Sequence, residues 1–289
     1  MIPVSVIILT YNEETNIAEC VRALDAFDEV IVVDSGSTDR TLEILRSESP
    51  RVRILSNSFE DFGQQRNWAI DNTNPAHPWV LFVDADEFME KPLAEEINAF
   101  VSSPGDAVGA FIAGRNYFLG RWLKYSTYFP SYQLRLLKQG AVRYRREGHG
   151  QREETTSKTV YLKNSWRHEG FSQGIHHWID RHNRYSTAEA PLISEMRTRK
   201  VPWKSLLARD AITRRRAIKL AGSKLPGRPV TRFLYTYVVR FGFLDGYAGF
   251  LFNLLRFTND IHICTKVAER KWRCGNTERS SVHTTCRQR

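Results

Sequence analysis

The sequence predicts an α/β fold, a helix-flanked sheet followed by a basic helical extension, and three observations predict it. Short apolar runs rich in β-branched residues, Val4–Leu9, Val30–Val33, Val52–Leu55 and Trp79–Val83, alternate with segments whose apolar residues recur at helical spacing, as successive βαβ units require. The polar loops Thr10–Glu14, Asp34–Asp39 and Asp84–Glu87 each follow one of these strands, and parallel strands joined by crossover helices bring such loops to one sheet edge. Charge is the third observation. Residues 1–196 hold 21 Lys and Arg against 27 Asp and Glu, net −6, whereas residues 197–289 hold 21 against 5, net +16. A positive surface confined to the last third suits an anionic partner, either a membrane leaflet or a nucleic acid.

The first strand, Val4 to Leu9, runs into Thr10-Tyr11-Asn12-Glu13-Glu14; Ile17, Cys20, Val21 and Leu24 then mark the inner side of a helix that Asn12 is placed to cap. After Val30–Val33, Gly36 supplies tight backbone geometry, and Ser37 or Thr38 can cap the helix carrying Leu42 and Leu45. A helix from about Gly63 to Asp71 holds Gln64, Gln65, Arg66, Asn67 and Trp68. The strand Trp79–Val83 is apolar enough to be buried on both faces, yet it ends in Asp84-Ala85-Asp86-Glu87. Two carboxylates one residue apart at that edge lie where open α/β folds bind ligands, and hard oxygen donors suit Mg²⁺ or Mn²⁺ carrying a phosphate. An acidic helix-start loop is the alternative there, because Lys91-Pro92 opens a helix to about Ser102.

Val108 to Ala113 is a strand, and the aromatic, basic run from Arg115 to Phe129 suits either stacking on sugars or bases or packing over the sheet. Leu134–Leu137 and Val142–Tyr144 about Lys138-Gln139-Gly140 predict a hairpin. Arg145 to Glu154, with glycines on both sides of His149, reads as a flexible polar loop able to hold a general base. His168, past a strand at Val160–Leu162, is a candidate third metal ligand; His176, His177 and His182 read as structural on a helix with Trp178 and Ile179. Trp203 to Ala221 is a basic helix broken at Leu225-Pro226-Gly227-Arg228-Pro229. Phe233 to Phe257 is rich in aromatics and leucine, but Arg240, Asp245 and Arg256 interrupt it, which favours an amphipathic hairpin in a membrane interface over a spanning helix; a soluble helical cap on the catalytic domain or a dimer interface is the alternative. Residues 271–289 are polar and aperiodic, as in a disordered tail.

Composition excludes several classes. With 42% apolar residues the chain can bury a core, and neither GxGxxG nor GxxxxGK[ST] occurs. Cys20, Cys264, Cys274 and Cys286 form no CxxC pair and read as free thiols. Met1-Ile2-Pro3-Val4-Ser5 has neither a basic n-region nor a long apolar h-region, so the expectation is a cytoplasmic protein, peripheral on the inner face of the cell membrane.

The order and spacing of Val4–Glu13, Val33–Asp39, Gln65–Ala69, Val83–Glu87, Tyr132–Leu136 and Gly242–Gly246 resemble family 2 glycosyltransferases of the GT-A fold, over about residues 1–260. Within that family the chain is similar to lipopolysaccharide core and envelope-glycan transferases. The resemblance implies a GT-A (Rossmann-like) mixed sheet flanked by helices in residues 1–196, with a nucleotide-sugar half to about residue 100 and an acceptor half beyond, then a basic amphipathic region over 197–270. It implies that Thr10, Tyr11 and Glu13 line the base and ribose pocket with Asp34 beside them and Arg66 near the nucleotide. Asp86, assisted by Asp84, would hold the divalent cation that bridges the diphosphate, and His168 matches a histidine near metal and phosphate. Inversion by direct displacement needs one carboxylate base. Glu147 and Glu153 are both candidates, Glu153 favoured, with His149 as a supporting residue. Asp34-Ser35 replaces the paired aspartates of many members, which bears on uridine preference. The implied reaction moves a hexose, with glucose from UDP-glucose the candidate, from a nucleotide-sugar to a lipid-linked glycan or lipopolysaccharide core at an anionic membrane surface, without nucleic acid. The alternatives are a nucleotidyltransferase, whose glycine-rich, lysine-containing phosphate loop is missing, and a nucleic-acid-binding protein, which leaves the acidic loops unexplained.

Overall fold

Four strands form the parallel half of the sheet: β1 (Ile2–Thr10), β2 (Phe27–Asp34), β3 (Arg53–Ser56) and β4 (Trp79–Asp84), in the order β3-β2-β1-β4. Helices α1 (Ile17–Arg22), α2 (Thr41–Glu48) and α3 (Phe62–Asn72) make the crossovers. The computed structural model describes residues 1–48, 51–147, 150–208, 211–225 and 227–285, and the chain divides into two units, Met1–His176 and His177–Arg289. That division lies inside a helix rather than near residue 196, where the charge changes.

Continuous apolar strands follow from burial on both faces. Val4, Val6 and Ile8 of β1 pack with Ile17, Val21 and Leu24 on one side, and Ile7 packs with Ile31, Val33, Phe82 and Ala69 on the other. Each such side chain contributes roughly 1.5–3 kcal/mol when fully buried. β5 (Glu87–Phe88) and α4 (Lys91–Ser102) come next, followed by β6 (Gly109–Phe118), β7 (Arg121–Trp122) and β8 (Tyr132–Lys138). β9 (Arg143–Glu147), β10 (Gly150–Glu154) and β11 (Thr159–His168) complete the strands. Beyond β4 the sheet continues β8-β6-β11-β5, with β8 antiparallel to both β4 and β6, so it is mixed.

The hairpin predicted about Lys138-Gln139-Gly140 does not form. β8 is apolar on both faces and enters the sheet between β4 and β6, whereas β9 pairs antiparallel with β10 in a separate two-stranded sheet. The stretch read as a flexible polar loop is therefore largely that second hairpin, and its Gly148 and His149 lie outside the described residues. Asn12 does not cap α1: Asn16 holds the N-cap position, and Asn12 instead sits at φ 54° with its side chain turned to the β2 loop. At α2 it is Asp39, not Ser37 or Thr38, whose carboxylate accepts the Thr41 N–H, at 3.0 Å.

In the second unit α5 (Gly174–Thr198) leads to a 3₁₀ turn at Trp203–Leu207 and to α6 (Ala211–Lys224), two pieces where one basic helix was expected. α7 (Arg228–Leu234) passes through a π turn, Tyr235–Val239, and a 3₁₀ turn, Gly242–Asp245, into α8 (Gly246–Thr285). The expected aperiodic tail is helical as far as Thr285. Ala190 and Ile193 of α5 pack on Ile263 and Val267 of α8. No single helix among the described residues is long and apolar enough to cross a membrane; the pair Arg228–Val239 and Gly242–Arg273, bent by 71°, meets the length and composition only when joined.

Candidate active site

Register sets the loop-bearing strand ends side by side: Thr10 lies opposite Asp34, and Leu9 opposite Asp84. Asp34 folds its carboxylate back into its own loop, where Oδ2 accepts the N–H groups of Gly36 and Ser37 at 2.9 Å each. Gly36 reaches this geometry at φ 85°, a conformation that a Cβ disfavours. The β1 loop is tied to it: Asn12 N–H donates to Ser37 Oγ at 2.9 Å, Thr38 N–H to Asn12 Oδ1 at 2.8 Å, and Glu13 N–H to Thr41 Oγ1 at 2.8 Å. Asn16 Nδ2 donates to Glu13 Oε2 at 2.7 Å and orients that carboxylate. Thr10 Oγ1 is buried with no hydrogen-bond partner, while Tyr11, 56% exposed, stands at the rim.

Asp84 is held by arginines. Its Oδ1 accepts from Arg66 Nη2 at 2.8 Å and from Arg135 Nη1 at 2.9 Å, and its Oδ2 from Arg135 Nη2 at 2.6 Å. Arg135 also donates to Glu87 Oε1 at 3.0 Å, and Glu87 Oε2 accepts the Asp84 N–H at 3.0 Å. Burial works against the Asp84 charge, but Arg135 and Arg66 hold its carboxyl well below the usual range. At Glu87 burial prevails over the pull of Arg135 and, with the Asp84 charge adding to it, raises the carboxyl to about 7. Arg135 is the residue that sequence reasoning left without a role. A charge inside the apolar run Leu134–Leu137 was its signal, because a buried charge needs a partner.

Asp86 keeps different company from Asp84. β5 and the end of β11 pair antiparallel with His168 opposite Glu87, which brings His168 Nε2 to 3.3 Å from Asp86 Oδ2. Burial disfavours the imidazolium, yet Asp86, with Glu87 and Asp84 behind it, raises His168 to about 9. Both Asp84 oxygens are engaged by guanidiniums, while Asp86 meets His168.

The β9–β10 hairpin separates the two candidate bases. Glu153 lies opposite Tyr144, so both project from one face, while Glu147 projects from the other with Arg152, at 3.3 Å. The Tyr144 ring packs edge-on to Phe82, and the Arg66 guanidinium lies 5.4 Å from the Phe82 centroid and 5.7 Å from that of Tyr144. Burial raises the Tyr144 phenol to about 12, and the charge of Glu153 is felt there as well. Asn67 of α3 clamps the hairpin, donating to the Tyr144 carbonyl at 2.7 Å and accepting its N–H at 3.0 Å. α3 lies so close that a Cβ on Gly63 would meet the Arg145 backbone at 3.1 Å. Glu153 thus shares its face with the ring that covers Arg66, the partner of Asp84.

Residues 5–168 match the model of Glycosyl transferase family 2, more than half of the chain. The chain belongs to that family. Among similar proteins, the lipopolysaccharide core biosynthesis glycosyltransferase LpsC of Rhizobium meliloti (strain 1021) is 29% identical over 146 residues, which are 50% of this chain and 53% of LpsC. The prophage-derived glycosyltransferase SunS of Bacillus subtilis (strain 168) is 37% identical over 86 residues, 29% of this chain and 20% of SunS. These matches span about half of LpsC and a fifth of SunS. In fold, the family 2 chain is similar to the mannosyltransferase PcManGT of Pyrobaculum calidifontis, solved with GDP-Man and Mn²⁺. That match has a TM-score of 0.52 at 14% identity and covers 93% of this chain and 87% of PcManGT. The sheet with its flanking helices is a GT-A fold, followed by a helical C-terminal extension.

Proposed function

We propose that this family 2 chain is an inverting glycosyltransferase that takes a hexose from a nucleotide-sugar, with UDP-glucose the working choice, to an envelope-glycan acceptor, lipid-linked or of the lipopolysaccharide core. The observation that carries the reading is the Asp86–His168 pair beside the tied loops of β1 and β2. LpsC, by its name, supports the class of acceptor. Among the described residues no group of three or more His, Cys, Asp or Glu could hold a metal ion alone. A carboxylate oxygen and an imidazole nitrogen together fit a cation such as Mn²⁺ whose remaining ligands come from diphosphate and water. When bound, that cation would neutralise charge on the departing diphosphate. Ligation requires a neutral imidazole, so His168 Nε2 would give up its proton.

The chain's own residues supply the rest. Asp34 and Glu13 sit in loops fixed before any ligand arrives, and Thr10 Oγ1 has no partner to give up. Glu153 takes the proton of the acceptor hydroxyl as its oxygen bonds to the anomeric carbon; the bond from that carbon to the diphosphate breaks, and its electron pair leaves with the nucleotide. Attack opposite the leaving group inverts the carbon, and one base suffices. Calorimetric titration with UDP, GDP and CMP, each with and without Mn²⁺, tests the reading. One nucleotide is expected to bind and to need Mn²⁺, while Asp86→Ala loses that dependence and about 10²–10³-fold or more in turnover with its circular dichroism unchanged. Unaltered Mn²⁺-dependent binding by the variant would remove Asp86 from the site.

The same reading puts the protein on the inner face of the cell membrane. Its support is the net +16 of residues 197–289 together with exposed Val238, Val239, Phe241, Phe243, Tyr247 and Phe250 around the helical bend. Attraction to anionic lipid of ~1 kcal/mol per nearby Lys or Arg is enough for peripheral attachment. The protein is expected to float with phosphatidylglycerol vesicles and far less with phosphatidylcholine; no flotation with either sinks this location.

A further inference from the structure

A second concave site lies wholly within the C-terminal unit. A cleft of about 510 Å³ at the ends of α5 and α6 and the start of α7 is lined by Arg197, Lys224, Leu225, Arg228 and Cys264. Among the described residues its three cations meet a single carboxylate, Asp260. Among the described residues Lys224 has no carboxylate partner, and Arg197 donates Nε to the Ser223 carbonyl at 2.9 Å. Arg228 Nη2 reaches Asp260 at 3.3 Å, but Arg232 already donates to both oxygens of that carboxylate, at 3.0 and 3.2 Å. Arg228 Nη1 is buried with no acceptor. A buried donor without an acceptor costs stability, and like charges around one cleft repel; an oxyanion relieves both. Guanidiniums match phosphate in particular, because their paired N–H groups meet two of its oxygens.

The rim says what carries that phosphate. Leu225 in the lining is 49% exposed, and Pro229 lines the cleft with it, an apolar border that a free anion does not use. We propose that the cleft binds the phosphomonoester of an anionic lipid headgroup, with the apolar rim against the chains below it. The site stands apart from the glycosyltransferase reading and is tested by binding alone.

Cys264, a free and partly buried thiol in the lining, is the reporter. The full-length protein is alkylated with N-ethylmaleimide, and Cys264 labelling is followed by peptide mass spectrometry. Phosphatidylcholine vesicles containing phosphatidic acid are expected to slow labelling several-fold, and phosphatidylcholine alone to leave it unchanged. Arg197→Gln with Lys224→Gln should weaken the apparent vesicle affinity roughly tenfold or more, and Lys224→Gln alone, which breaks no hydrogen bond among the described residues, roughly fivefold. Lys204→Gln with Lys219→Gln removes the same charge from exposed positions and should leave protection intact. Equal loss in both double variants, or protection by phosphatidylcholine alone, would overturn the site. Protection by inorganic phosphate or pyrophosphate without protection by phosphatidic acid would overturn the lipid as its source.

Discussion

Glu153→Gln is expected to lower turnover about 10²–10⁴-fold while nucleotide affinity stays near that of the wild type. The amide keeps the shape and one acceptor oxygen of the carboxylate but cannot take a proton from the acceptor hydroxyl. Strand geometry makes the comparison with Glu147 informative: residues directly opposite in an antiparallel pair share a face, and Glu153 is opposite Tyr144. That ring is packed against Phe82 and Arg66, so the face carrying Glu153 is the one turned toward the Asp84 cluster. Glu147 is on the reverse face, paired with Arg152. Glu147→Gln should therefore stay close to wild-type turnover, and a loss as deep as that of Glu153→Gln would mean that the hairpin presents its other face to the acceptor. Initial rates and calorimetric nucleotide affinities on both variants decide between them.

Which parts were legible in the sequence follows from how local each signal is. β4 was readable because a strand buried on both faces tolerates no polar residue until it ends, so Asp84 and Asp86 stood out against it. The tying of the β1 and β2 loops was readable only as proximity. That Asn12 bonds to Thr38 rather than capping α1 depends on its φ of 54°, which Asn tolerates but does not announce. Lys138-Gln139-Gly140 looked like a hairpin because turn chemistry is local, whereas the partners of β8 are strands far along the chain, and only the double-sided apolar face of Leu134–Leu137 hinted at them. Asp86 and His168 are 82 residues apart and meet through two residue pairs between β5 and β11, too short a pairing for any periodicity to reveal. Asp84 and Asp86 have the same side chain and nearly the same position in sequence. What separates their surroundings is Arg66 from α3 and Arg135 from β8, and the sequence names neither as a partner.

Arg135→Ala is expected to destabilise the N-terminal unit by about 3–5 kcal/mol, the cost of stripping the partner from buried carboxylates. Arg135 is 1% exposed, and its guanidinium serves both Asp84 and Glu87 while stacking 5.5 Å from the Trp166 ring. Without it Asp84 keeps the Arg66 guanidinium, and Glu87 loses the guanidinium bonded to it, leaving two acids joined through the Asp84 N–H with like charges facing each other. Arg135→Lys restores the charge but not the fork that spans two carboxylates, so an intermediate loss is expected. Glu87→Gln removes one of the two acids that Arg135 balances. Added to Arg135→Ala, it should cost less than the sum of the single changes, because the repulsion it relieves exists only once the arginine is gone. Urea unfolding of the wild type and the four variants, followed by tryptophan fluorescence, measures this; strict additivity, or an Arg135→Ala loss below about 1 kcal/mol, would show that the cluster does not hold the sheet edge. The order of losses also bears on catalysis. If Arg135 acts by fixing Asp84 beneath the nucleotide loops, Arg135→Lys will recover stability before it recovers turnover, since a single ammonium cannot hold both oxygens of that carboxylate in place.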